Sequence, residues 1–370
     1  FHMIRRLYLD NFKCFAEQEL RLEPLTILAG ANASGKTSVL QSLLLLRQSY
    51  DAGRLQAGEL LLSGDLISIG VARDVFAATA KTPQMLLEVE DDDGVRERFR
   101  FAYETGQGDA YVLAPPDAER SEIACKSSLF RRPFAYLCAE RVGPRLTYPM
   151  DSRSSRLRNV GTAGQFWASC LATYGDDPLP NPGLEYPGSR QEGQISLNNQ
   201  VKLWMRQIVP ELEIEVERLV RTDAVRIGLR NQGNVTDYLR PPNIGFGISY
   251  ALAVVVAVLA SEPDSVLLLE NPEAHLHPFG QSQLGNFLAR AAAAGLQVLV
   301  ETHSDHLLNG ARVAVKREHL LPSQTAVHFF SAPSGDDPRV QSPRLDKDGR
   351  IDLWPRGFFD QAEQDLLELL

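Results

Sequence analysis

The run Gly30-Ala31-Asn32-Ala33-Ser34-Gly35-Lys36-Thr37 follows the pattern GxxxxGK[ST]. Glycines at its turning points let successive backbone N–H groups converge on one spot, a geometry that cradles phosphate oxygens. Lys36 would neutralise the outer phosphates of a nucleotide, and the Thr37 hydroxyl would ligate Mg²⁺. Ser38 follows them, so residues 30–38 form one candidate nucleotide-binding stretch. Two further groups of chemically capable side chains lie far downstream. Val266-Leu267-Leu268-Leu269 runs into Glu270, Asn271 and Glu273. Val298-Leu299-Val300 runs into Glu301, Thr302, His303 and Asp305. A carboxylate at the carboxyl edge of a buried parallel strand sits where such sheets bind ligands. Glu270 is therefore the expected second ligand for Mg²⁺; in isolation it would read as a solvated residue closing a strand. His303 could reach a terminal phosphate. Gly245-Phe246-Gly247-Ile248-Ser249 precedes an apolar helix and is either another anion-binding helix start or a plain turn with a serine cap.

These residues need elements to hold them. Residues 24–29 have strand character, and residues 37–46 read as a buried helix without a breaker. Strand, glycine-rich loop and helix in that order aim a helix N-terminus at a polyphosphate. Upstream, residues 3–9 and 19–28 read as two strands. Residues 85–90 and 97–103 flank Asp91-Asp92-Asp93-Gly94, a hairpin signal. Residues 134–138 form another strand, followed by Glu140-Arg141. From about 150 to 240 the text turns to short helices and Pro/Gly punctuation, read as an inserted lobe without heptads. Beyond 245, helix 249–260, strand 266–270, helix 281–294 and strand 296–301 alternate, the mark of a parallel sheet wrapped by helices. The expected fold is α/β with a mixed sheet. Its expected segments are 3–150 and 241–330 for two halves of one catalytic unit, 151–240 for the inserted lobe, and 331–370 for a tail.

The chain has 370 residues, 44% of them hydrophobic, enough for a sizeable core. A net charge of −9 opposes bulk attraction to nucleic acid or anionic membrane. Cys14, Cys125, Cys138 and Cys170 show no metal spacing and read as reduced thiols of a cytoplasmic protein. The most apolar stretch, 248–260, is too short to cross a bilayer. Phe1 and His2 precede Met3 and read as a cloning remnant.

Taken in order, the phosphate loop, Gly245-Phe246-Gly247-Ile248-Ser249, the LLLENPEAHLHP segment (267–278) and the ETHSDH segment (301–306) resemble an ABC-type ATPase of the RecF/SMC/OLD-like group. The region 348–361, with Trp354-Pro355-Arg356-Gly357-Phe358-Phe359, is similar to the tail of a compact prokaryotic branch of that group. The resemblance implies an ABC ATPase head that binds ATP and Mg²⁺ and works as an ATP-dependent homodimer. It implies that Gly245, Gly247 and Ser249 act on the nucleotide held by the other copy, that His303 is a switch histidine, and that Lys13 lies near the nucleotide. Glu140-Arg141 would occupy the Q-loop neighbourhood, where no glutamine stands. The family logic places a carboxylate after the magnesium ligand; here that residue is Asn271. An amide orients water but cannot take its proton, so slow hydrolysis is expected, with Glu273 or Glu301 as substitute base. By analogy the role lies in DNA transactions or antiphage defence, with an effector encoded nearby. The rivals are an OLD-type nuclease acting directly on DNA and the nucleotide-binding subunit of a membrane transporter.

Weaker signals remain. Glu273, His275, His277, His303, Asp305 and His306 could form a transition-metal site, although their spacing fits no zinc motif. Arg145, Arg153, Arg156 and Arg158 form a basic loop, either a DNA contact or a solvated surface. Asp346 and Asp348 could belong to a nuclease centre but read as turn residues.

Overall fold

The computed structural model describes residues 2–78, 82–102, 110–115, 124–151, 158–231, 237–331, 339–355, 357, 359 and 361–369. In chain order the first half contains β1 (Ile4–Phe12), β2 (Phe15–Arg21), β3 (Leu25–Gly30), α1 (Lys36–Asp51), β4 (Leu60–Leu61), β5 (Gln84–Asp91), β6 (Arg96–Ala102), β7 (Val112–Leu113), α2 (Ser128–Arg131), β8 (Phe134–Leu137) and β9 (Tyr148–Pro149). There follow α3 (Trp167–Tyr174), α4 (Leu197–Ile208), β10 (Leu212–Arg218), β11 (Ala224–Asn231), α5 (Phe246–Leu259) and β12 (Val266–Glu270). The last are α6 (Pro278–Ala293), β13 (Gln297–Thr302), α7 (Asp305–Lys316), β14 (Thr325–Phe330), β15 (Val340–Gln341) and α8 (Gln361–Leu369).

The central sheet has the order β15-β14-β3-β13-β12-β8. From β14 to β8 its strands are parallel; β15 joins antiparallel at the edge. Both faces of this sheet are covered, so its inner strands are apolar at nearly every position. Leu25, Ile27, Leu267, Leu269, Val298 and Val300 face one core, together with α5 and α6. Leu28, Val266, Leu268 and Leu299 face the other, together with α1. That second core is closed by an antiparallel sheet of order β2-β1-β5-β6.

The expected single strand over 19–28 is two strands in different sheets. β2 is buried only at Phe15 and Leu20 and is otherwise exposed or half-buried, whereas β3 is buried almost throughout. The chain changes partner between them: Leu22 N donates to Arg5 O, and Pro24 O accepts from Val298 N. Pro24 offers no N–H for a ladder, which suits the crossing point.

The 151–240 stretch shares a core with the helices that flank the central sheet. Trp167, Trp204 and Met205 pack in the same core as α5 and α6. Its sheet, β10-β11-β9, begins at Tyr148, just ahead of the expected boundary. The tail is likewise knitted in: β15 pairs with β14, and Arg312 Nε donates to Gly349 O at 2.8 Å. No described helix is long and apolar enough to cross a membrane. All four cysteines are free.

Candidate functional site

β3 ends at Gly30 and α1 begins at Lys36, so the expected strand–loop–helix unit is present. Gly30 has φ 136° and a Cβ there would overlap the carbonyl of Phe330, at the end of β14. Gly35 has φ 116°, and a Cβ would press on Cys14 Sγ at 2.7 Å and Phe15 Cζ at 2.8 Å. The loop can turn this tightly only with glycine at both points. No side chain caps α1, which leaves its amide end turned to the loop.

Without a phosphate, the loop's polar groups satisfy one another. Lys36 is 3% exposed, and its Nζ donates to Ala31 O at 2.6 Å and Gly30 O at 3.1 Å. Thr37 Oγ1 donates to Glu301 Oε1 at 2.9 Å, and Lys36 Nζ lies 4.0 Å from the same oxygen. Burial pushes the Glu301 carboxyl up to about 7; Glu270 adds to the rise, while Thr37 and Lys36 oppose it. Burial also lowers Lys36, against the pull of Glu301. Ser34 O accepts from Arg339 at 3.1 Å, a support from the chain after β14.

A cleft of about 470 Å³ opens over this loop, a size within the usual range for small-molecule sites. Asn32, Ala33, Ser34, Gly35, Lys36, Thr37 and Ser38 line it, as do Lys13, Asn271, Glu301 and His303. Gly30 and Ala31 contribute through the carbonyls that hold Lys36. Lys13 Nζ donates to Gln41 Oε1 at 2.5 Å, and its charge is disfavoured by burial. His303 is pushed below its ordinary range by desolvation and by Lys36. Cys14 and Gln41 also line the cleft and were not expected there. Gln41 follows Thr37 by one helical turn, so helix periodicity held the signal; Cys14 arrives only through the β1–β2 turn.

Other expected site residues sit behind the cleft. Glu270 does not line it: Tyr136 OH donates to one of its oxygens at 2.8 Å and Ala139 N to the other at 3.0 Å. Glu273 is also set back, accepting from Thr302 Oγ1 at 2.6 Å and His303 N at 3.1 Å, with its carboxyl raised by burial. Gly245 is exposed at the start of α5, and Gly247 packs against the His275 carbonyl. Ser249, one turn into α5, is 0% exposed in the single chain.

Arg141, expected only in the neighbourhood of the site, is its buried brace. Its guanidinium donates to Cys138 O at 3.0 Å, Glu270 O at 2.6 Å and Asn271 O at 2.6 Å. It also lies 5.1 Å from the Tyr250 ring centroid, linking the turn after β12 to α5.

The weaker signals resolve as follows. Among the described residues, the expected histidine and carboxylate group does not gather; the one such trio is His2, Asp92 and Asp93, all exposed. Arg158 is engaged within the chain, by Asp177 at 3.2 Å and Pro178 O at 3.1 Å. Arg145 is exposed. Arg153 and Arg156 lie outside the described residues, as do Arg356 and Phe358 of the tail motif. Asp346 accepts from the backbone of Asp348 and Arg350, as a turn residue does.

No curated protein matches the chain. A Smc head domain with an extended coiled coil bound to the C-terminal domain of ScpA, derived from Pyrococcus furiosus, aligns over 100% of each chain with 13% identity and a TM-score of 0.51. A SmcHead bound to the C-winged helix domain of ScpA aligns over 93% of this chain and 98% of that one, with 15% identity and a TM-score of 0.48. The first likeness shares the fold of a Smc head. Residues 320–369 match the family described as "Protein of unknown function (DUF3696)", which takes in β14 as well as the tail. Residues 25–309, the phosphate loop and everything through the His303 segment, match the family described as "AAA domain, putative AbiEii toxin, Type IV TA system". The chain thus belongs to that AAA-domain family of P-loop ATPases.

Proposed function

We propose that this chain binds ATP with Mg²⁺, hydrolyses it slowly, and works as an ATP-gated dimeric switch controlling a partner effector in prokaryotic DNA transactions or antiphage defence. The observation that carries the reading is the convergence of Lys36, Thr37, Asn271, Glu301 and His303 on one cleft. Those residues come from the starts and ends of separate elements, and only a site would gather them at a parallel sheet's carboxyl edge.

The residues fit a magnesium nucleotide. Glu301 Oε2 and Asn271 Oδ1 are buried without a hydrogen-bond partner, and the other Glu301 oxygen accepts from the Thr37 hydroxyl. Hard oxygens of this kind suit Mg²⁺. A bound cation would offset charge on the β- and γ-phosphates. The loop amides and the α1 N-terminus hold the phosphates, and Lys36 exchanges the Gly30 and Ala31 carbonyls for phosphate oxygens. His303 sits at the rim, where its ring meets the terminal phosphate. Asn271 orients the attacking water but accepts no proton, so turnover is slow. Gly245, with Phe246 at 54% exposure beside it, presents the α5 N-terminus to a second copy. Arg145 is the described member of the basic loop left exposed for nucleic acid or partner.

The test is ATP binding by the full chain, with Lys36→Ala as control, together with its size with and without a non-hydrolysable ATP analogue. Binding lost in Lys36→Ala and a doubled mass with the analogue are expected. Equal binding by both proteins would overturn the nucleotide site, and an unchanged mass would overturn the dimer.

A further inference from the structure

We propose that Arg339 and β14, in the region that matches a family of unknown function, position the phosphate loop, so that nucleotide binding and the state of this region are coupled. The proposal deepens the nucleotide reading above, by naming what regulates that site, and rests on it.

The region 320–369 reaches the loop at three points. The first is direct. β14 runs parallel to β3 with Phe330 in register with Gly30, and a Cβ at Gly30 would overlap the Phe330 carbonyl. The second passes through one ring. Phe330 is fully buried, and its ring meets that of Phe15 edge-on, with 6.3 Å between centroids. Phe15 in turn lies against Gly35, where a Cβ would come within 2.8 Å of its Cζ. Both glycines that let the loop turn are therefore packed on Phe330, one of them through Phe15. The third point is polar: Arg339 Nη1 donates to Ser34 O at 3.1 Å.

The backbone fixes where this arginine stands. Ser331 N donates to Arg339 O at 3.0 Å, and Val340 pairs antiparallel with Phe330. The β14–β15 ladder thus carries the guanidinium from a place next to the Phe330 contact. Arg339 is half-buried and is not among the residues that line the cleft, so it meets the loop from behind. Ser34 O and Gly35 N–H belong to one planar trans peptide and point in opposite directions. Gly35 lines the cleft, so a donor that holds the carbonyl from behind keeps this amide turned toward a phosphate. A charged donor also polarises the peptide and makes its N–H the stronger donor. Arg339 is in this sense a positioning residue, acting on phosphate through the loop. Linkage makes the effect reciprocal: a region that favours the nucleotide-ready loop is itself favoured when nucleotide binds.

The test uses the full chain and a non-hydrolysable ATP analogue, with affinity measured for the wild type, Arg339→Gln, Arg339→Lys and Arg344→Gln. Arg344 is an exposed arginine of the same region that lines a separate cavity with Arg21 and His328, and it controls for the loss of one positive charge. Affinity should fall on the order of tenfold in Arg339→Gln, the scale of one hydrogen bond from a charged donor. Arg339→Lys keeps a charged donor for a single carbonyl and should return to within about threefold of the wild type. Arg344→Gln should stay within about twofold. Amide hydrogen exchange adds a readout that a merely structural arginine would not move. Saturating analogue should slow exchange across β14 more than across β10, which belongs to another sheet, and the difference should shrink in Arg339→Gln. If Arg339→Gln fails to fold, the comparison of β14 with β10 in the wild type decides. Unchanged affinity in Arg339→Gln would overturn the proposal, as would equal weakening in Arg344→Gln or equal slowing of the two strands in the wild type. A wild type that does not bind the analogue overturns the nucleotide reading itself, a separately visible outcome.

Discussion

Replacing Arg141 by methionine tests whether the site is braced from below. The guanidinium is 3% exposed and donates to the carbonyls of Cys138, Glu270 and Asn271. Hydrogen bonds from a charged donor are each worth roughly 1.5–3 kcal/mol, and three would suggest a loss near the top of the single-mutant range. Burying the guanidinium is itself costly, and removing it recovers part of that cost. Against this recovery, Glu273 loses a neighbouring positive charge that opposes its burial. The net loss works out at about 3 kcal/mol, or roughly 4 °C in the thermal midpoint for a chain of this size. Methionine keeps much of the volume, so a packing void contributes little. Arg141→Lys should recover only part, because one ammonium cannot serve carbonyls lying in different directions. Scanning calorimetry gives the midpoint, and titration with an ATP analogue shows whether the Glu270–Asn271 turn has shifted. A midpoint within about 1 °C of the wild type, with unchanged analogue affinity, would refute the brace.

Two other perturbations bear on the site. Gly30→Ala forces a Cβ into the Phe330 carbonyl at a φ of 136°, so it should cost about 3 kcal/mol and weaken analogue binding; an unperturbed midpoint would mean that β14 does not abut the loop. Asn271→Asp places a proton acceptor at the cleft wall and should raise steady-state ATP turnover by about tenfold or more. Turnover at or below the wild-type rate would show that the missing carboxylate is not what limits hydrolysis.

What the sequence by itself determined is local. The phosphate loop is legible because a few consecutive residues set its geometry: glycines at 30 and 35 permit the turn, and Lys36 and Thr37 follow in fixed positions on the first helical turn. The same holds for α5, β12, α6 and β13, whose apolar runs record burial on both sides of one sheet. Even there the letters misled at 19–28, since an apolar alternation does not say that the chain leaves one sheet for another. The placement of the carboxylates was not legible. Glu270, Glu273 and Glu301 each follow or close a strand end in the text, and only the lateral order β3-β13-β12 puts Glu301 beside Thr37 and ties Glu270 to Tyr136. Arg141 and Ser249 make the same point from opposite directions. The arginine became the brace because the turns after β8 and β12 meet, and the serine is buried because α5 turns that face inward. Strand adjacency and helix rotation are set by packing between segments distant in the chain, and no short stretch of residues encodes them.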